Sequence, residues 1–171
     1  TGFVLLAAFR IFKYRFSLWS LRRWSSPVQN SDVLHLYRSI CRREHISAPP
    51  GLMENRNLST PVLAGLFHPA LYLTEAPCDR EELSFILRHE LTHYKRRDLW
   101  FKLLLLAVST IYWFNPALYL MRSEAEKDIE NLCDGRVLQA SPMQSRLHYS
   151  QLLLKTAALQ NHIPYLSASL N

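Results

Sequence analysis

Cysteine is scarce in this chain and never closely paired: Cys41, Cys78 and Cys133 are the only three in 171 residues, and no CxxC spacing occurs. An odd, scattered set of this kind argues against a disulfide framework and suits a reducing compartment. Acid is missing from the start of the chain, where Arg10, Lys13, Arg15, Arg22 and Arg23 all precede the first carboxylate, Asp32. Glycine is limited to 4. There is no internal repeat and no low-complexity segment. No helix-turn-helix or finger pattern accompanies the net charge of +6, so direct nucleic-acid readout is not expected. The charge fits attraction to anionic lipid, the other reading being a basic arm that attracts nucleic acid. A secretory signal peptide is also disfavoured, because the basic residues follow the opening apolar run and no small-residue cleavage site appears.

The apolar opening itself, Gly2-Phe3-Val4-Leu5-Leu6-Ala7-Ala8-Phe9, is too short to span a bilayer. Followed by one-sided positive charge, it reads as the C-terminal end of a truncated transmembrane helix with its cytoplasmic basic flank, residues 1–16. Trp19 and Trp24 among the cations suit a membrane interface. The remainder, 17–171, is long enough for one domain with a real core, and is expected to continue beyond Asn171.

The densest chemistry lies at His89-Glu90-Leu91-Thr92-His93. Histidines four apart on a helix lie one turn apart on one face, so both imidazoles can grip one metal ion. Glu90 sits beside them, where a carboxylate can take a proton from water on the metal. The local sequence supplies the helix. Asp79-Arg80-Glu81-Glu82 has the form of a capping box, and Leu83, Ile86, Leu87, Leu91 and Tyr94 follow at helical spacing, predicting a helix over about 79–96.

A catalytic metal site needs a third protein ligand and leaves a fourth position for water. The other histidines, at 35, 45, 68, 148 and 162, form no second pair at ligand spacing. The candidates are carboxylates in Glu126-Lys127-Asp128-Ile129-Glu130-Asn131-Leu132-Cys133-Asp134. Glu130 and Asp134 share a helix face, one as ligand and the other as hydrogen-bond partner that fixes a histidine tautomer. Glu126, a turn earlier, is the rival ligand. The bland reading is a solvated charged face. Between the two motifs, residues 99–121 are almost wholly apolar, with Lys102 their single charge. A straight helix there would carry Glu130 far from His93. Asn115-Pro116 offers a break, since proline suits the first turn of a new helix. The arms 99–115 and 115–130 are nearly equal, about 23 Å each at 1.5 Å per residue. A helical hairpin, tucked into the membrane or into the protein, would therefore return Glu130 to the level of His93. Cys133 reads as a small packed helix residue.

The chain resembles the zinc peptidase domain of the membrane sensor-transducers of β-lactam resistance, the BlaR/MecR type. The residues that carry the likeness are Ser59 to Leu73, His89 to Asp98, Trp113-Phe114-Asn115-Pro116, and Glu130 to Asp134, in family order over about 59–138. Ala64 and His68 depart from it, standing where family members often have an aromatic residue and an arginine. The resemblance implies a gluzincin-like site with His89, His93 and Glu130 on Zn2+, Glu90 as base and Asp134 behind a ligand. It also implies a multi-pass cell-membrane protease whose active site faces the cytoplasm, acting on a transcriptional repressor, on itself, or both. Two other classes share some features. A housekeeping protease of the CAAX-processing or heat-shock type has the same two motifs but usually more membrane sequence between them. A non-catalytic transducer stabilised by zinc would not need Glu90.

The rest is expected to be scaffold. Ser31–Glu44 reads as an amphipathic helix, Leu52–Leu73 as two or three short strands, and Ser141-Pro142-Met143-Gln144 as a cap opening a helix to about residue 160. A strand at 61–66 or 70–74 is a candidate to hold an extended substrate by β-addition. The expected fold is α+β, mostly helical with a small sheet, gluzincin-like and membrane-associated.

Overall fold

The protein is described by a computed structural model covering residues 2–75, 79–139, 147 and 149–151. Helix α1, Gly2–Arg23, is continuous through residue 16. Strand β1 (Ser25–Pro27) leads to helix α2 (Ser31–Arg43), whose first turn is closed by the Asn30 side chain accepting from the Asp32 and Val33 N–H groups. Strands β2 (Gly51–Asn55), β3 (Val62–Ala64) and β4 (Ala70–Thr74) follow, then helices α3 (Arg80–Arg96), α4 (Asp98–Ile111) and α5 (Pro116–Gln139). The result is mostly helical with a small mixed sheet, an α+β arrangement.

The sheet order is β1-β2-β4-β3. β4 runs parallel to β2 and antiparallel to β3, with Leu71 opposite both Leu52 and Leu63. Alternation within β4 is lost because the strand is buried on both faces: Leu71, Tyr72 and Leu73 are all inaccessible. One face packs on α2 and α3, where Tyr37, Ile40, Leu87 and Leu91 close the core around Leu71 and Leu73. Burying each such side chain stabilises by about 1.5–3 kcal/mol. This packing fixes α3 on the sheet and aims its opposite face, with His89 and His93, toward α5. Of the two strands expected to bind substrate, 70–74 is interior and has both edges occupied; only β3, at the sheet edge, keeps one edge open.

Two corners position the remaining helices. Asp79 caps α3 by accepting from the Arg80 N–H at 2.7 Å. At its other end a single residue, Arg97 (φ 60°, ψ 36°), turns α3 into α4. The second corner is at 112–115, where Asn115 Oδ1 accepts from the Ala117 N–H and Pro116 opens α5. Helices α4 and α5 therefore form the hairpin hinged at Asn115-Pro116. Along this hairpin Trp100, Phe101, Leu104, Trp113, Phe114 and Leu120 are exposed, as are Phe9, Phe12, Phe16 and Trp19 on α1. Arg10 ties α1 to α4, its Nη1 donating to Thr110 Oγ1 at 2.7 Å. Among the described residues no helix is long and apolar enough to cross a membrane. The cap expected at Ser141 lies outside the described residues; 147 and 149–151 are helical.

Candidate metal centre

His89 and His93 project from successive turns of α3, and Glu130 meets them from α5. The two Nε2 atoms are 3.0 Å apart. Glu130 Oε2 is 3.5 Å from His89 Nε2 and 3.3 Å from His93 Nε2. Glu126 is not in this group: it accepts from Arg122 Nε at 2.8 Å on its own helix, which removes the rival ligand from the cluster.

The other ring nitrogens are held by separate carboxylates. His89 Nδ1 lies 3.0 Å from Asp134 Oδ1, and His93 Nδ1 lies 2.8 Å from Asp98 Oδ2. A carboxylate accepts the Nδ1 proton and so leaves each Nε2 as a lone pair. Three electron-rich atoms then face one another, which is repulsive unless positive charge lies among them. The titration behaviour follows from that. Burial works against a charged His89, but the bonds to Asp134 and Glu130 outweigh it and raise its pKa to about 9. Burial likewise opposes charge on His93, and the contacts of Cys133 and Glu130 with the Glu90 field raise it to about 11. Glu130 is held well below the usual carboxylate range, its burial overcome by the two histidines and Lys102. The groups around the two rings therefore favour their protonated forms.

A zinc ion fits among these three atoms. Bonds of about 2.0–2.2 Å in tetrahedral geometry require donor–donor edges of about 3.3–3.6 Å, near the 3.0, 3.3 and 3.5 Å observed. The donor set of two imidazoles and one carboxylate is also the one zinc takes in catalytic sites. A second cluster of ligand-type atoms, His93, Asp98 and Cys133, uses the Nδ1 side of the same ring. It is accounted for by hydrogen bonding: Cys133 is fully buried, its Sγ lies 3.3 Å from His93 Nδ1 and 3.6 Å from Asp98 Oδ2. A metal there would displace the proton that defines the tautomer of His93.

Glu90 is half-buried beside the cluster. Burial raises its pKa, while His89, His93 and Lys102 lower it and Glu130 raises it. Three contributors were given no role at the site from the sequence. Asp98 is one. Lys102 is another, its Nζ lying 3.1 Å from Glu130 Oε1. Tyr149 is the third, a buried residue whose hydroxyl donates to Asp134 Oδ1 at 2.8 Å and lies 3.2 Å from His89 Nδ1. A groove of about 440 Å³ runs beside the edge strand, between Leu63, Gly65 and Leu66 and the corner residues Tyr94 and Trp100, and of the cluster it touches His93 alone.

Fold and site together define a helical α+β protein in which two histidines of one helix and a glutamate of another form a cluster that could hold a metal ion. The chain belongs to the BlaR1 peptidase M56 family, a metallopeptidase family whose pattern matches residues 1–170. It is 32% identical over 116 residues to the methicillin resistance mecR1 protein of Staphylococcus aureus, covering 66% of this chain and 20% of that protein. It is 26% identical over 144 residues to the regulatory protein BlaR1 of Bacillus licheniformis, covering 83% of this chain and 24% of that one. The chain thus spans about a fifth to a quarter of the length of these relatives.

Proposed function

We propose that this chain is the catalytic core of a membrane-bound zinc metalloendopeptidase of gluzincin type, within a bacterial sensor-transducer. The observation that carries the reading is the convergence of His89, His93 and Glu130 at 3.0–3.5 Å, with each imidazole backed by its own carboxylate. These three would hold zinc, which when bound supplies Lewis acidity to a water and to a peptide carbonyl. Glu90, made more basic by burial, accepts the proton of the attacking water and passes it to the leaving amine. Asp134 and Asp98 keep the two Nδ1 protons in place. The substrate backbone would add to the open edge of β3 and lie in the groove that ends at His93. Its source would be a cytoplasmic transcriptional repressor, the protein itself, or both, a reading supported by the regulatory relatives.

The exposed aromatic and aliphatic residues of the α4–α5 hairpin and of α1 support contact with a bilayer, with the cations of α1 at its surface. Zinc analysis tests the centre. The purified chain should hold one zinc, and His89→Ala, His93→Ala and Glu130→Ala should each lose it. Full zinc content in Glu130→Ala would remove the third ligand from the account.

A further inference from the structure

Lys102 is the single charge in the apolar stretch 99–121, and it does not reach solvent alone. Its Nζ meets Glu130 Oε1 at 3.1 Å, while Oε2 of the same carboxylate faces the two histidines. The two oxygens are therefore divided, one to the ammonium and one to the cluster. Four residues earlier on α4, Asp98 holds His93. One face of α4 thus supplies a partner both to a histidine from α3 and to the glutamate from α5.

We propose that Lys102 is a positioning residue: by claiming Oε1 it makes Glu130 offer a single oxygen to a metal held with His89 and His93. This rests on the metal-centre reading above. A carboxylate can bind a cation through one oxygen or through both. Catalytic zinc uses three protein ligands and keeps a fourth position for water. Were both Glu130 oxygens to turn inward, the second would compete for that position. Stability gives little reason for the pair, since a half-exposed ion pair is screened by solvent and contributes little. A lysine within an otherwise apolar stretch needs another role, and holding the carboxylate supplies one.

Cobalt substituted for zinc in the purified chain tests this without peptide cleavage, because four-coordinate cobalt absorbs visible light more strongly than ions of higher coordination. Lys102→Met should bind one cobalt with a loss of visible band intensity, and Lys102→Arg should restore it. Lys102→Ala, expected to behave as Lys102→Met, serves should the longer side chain fail to fold. Wild-type bands in Lys102→Met, or no recovery in Lys102→Arg, would overturn the proposal. Glu130→Gln separates the two levels. Unchanged bands there take Glu130 off the metal and overturn both readings. Altered bands there beside wild-type bands in Lys102→Met overturn the role of Lys102 alone.

Discussion

Asp98 and Asp134 divide one task between them, and each can be removed without touching a proposed ligand. Asp98→Asn and Asp134→Asn should each weaken zinc binding about 10–100-fold, with the helical circular dichroism retained. Chelator competition measures this; wild-type affinity in both would reduce the two carboxylates to packing partners. The histidines also predict a proton count. Zinc needs neutral Nε2 atoms, whereas in the metal-free cluster the two imidazoles hold protons up to about pH 9 and 11. Lowering pH therefore opposes zinc, and raising it favours zinc until those protons are gone. At pH 7 calorimetry in buffers of different ionisation enthalpy should find at least one proton released per zinc. Release of none would mean that both lone pairs were already free. Spacing on one helix singled out His89, Glu90 and His93 because it is a local property, whereas Glu130 and Asp134 stood out only through the near-equal hairpin arms and the family resemblance. Asp98, Lys102 and Tyr149 were not legible, since each meets its partner only after two or more helices have packed.

At the scale of elements, the hairpin was readable from Asn115-Pro116 and from the near-equal arms on either side of it. The α3–α4 corner was not. It turns on Arg97 in a left-handed conformation that no glycine announces. That strain makes a prediction: Arg97→Gly should leave the melting temperature unchanged or raised, whereas Arg97→Val should lower it by a cost of about 1–3 kcal/mol. Equal loss in both would show that the corner depends on the arginine side chain. The sheet was partly visible. β1 was missed because Ser25-Ser26-Pro27 has no alternation, and it is ordered by pairing with Met53 to Asn55 and by the Asn55 Nδ2 donation to Ser25 Oγ. Between β3 and β4, Gly65 has φ +97°, and a Cβ there would lie 2.5 Å from the His68 carbonyl oxygen. Gly65→Ala should therefore destabilise by about 1–3 kcal/mol and disturb the groove beside the open edge. An unchanged denaturation midpoint would contradict that backbone reading.

For the whole molecule, the polar centre and the apolar exterior belong to one arrangement. α3 is fixed on the sheet by Leu87 and Leu91, and α5 brings Glu130 back beneath it. Exposed apolar residues gather on α4, at the start of α5 and along α1 beside its cations, which suits a lipid surface. Phe114→Asp at the hairpin tip should lower binding to anionic vesicles about tenfold or more while leaving zinc content unchanged. Undiminished binding would move the bilayer contact away from the tip.

The central claim is that a bound zinc and the Glu90 carboxylate act as separate parts of one hydrolytic centre. Glu90→Gln tests it most directly, with zinc content and peptide cleavage measured on the same preparation. The account predicts one zinc per chain, as in the wild type, and no cleavage. Normal cleavage by that variant would remove Glu90 from the mechanism, and loss of the zinc would make Glu90 part of the metal's own support.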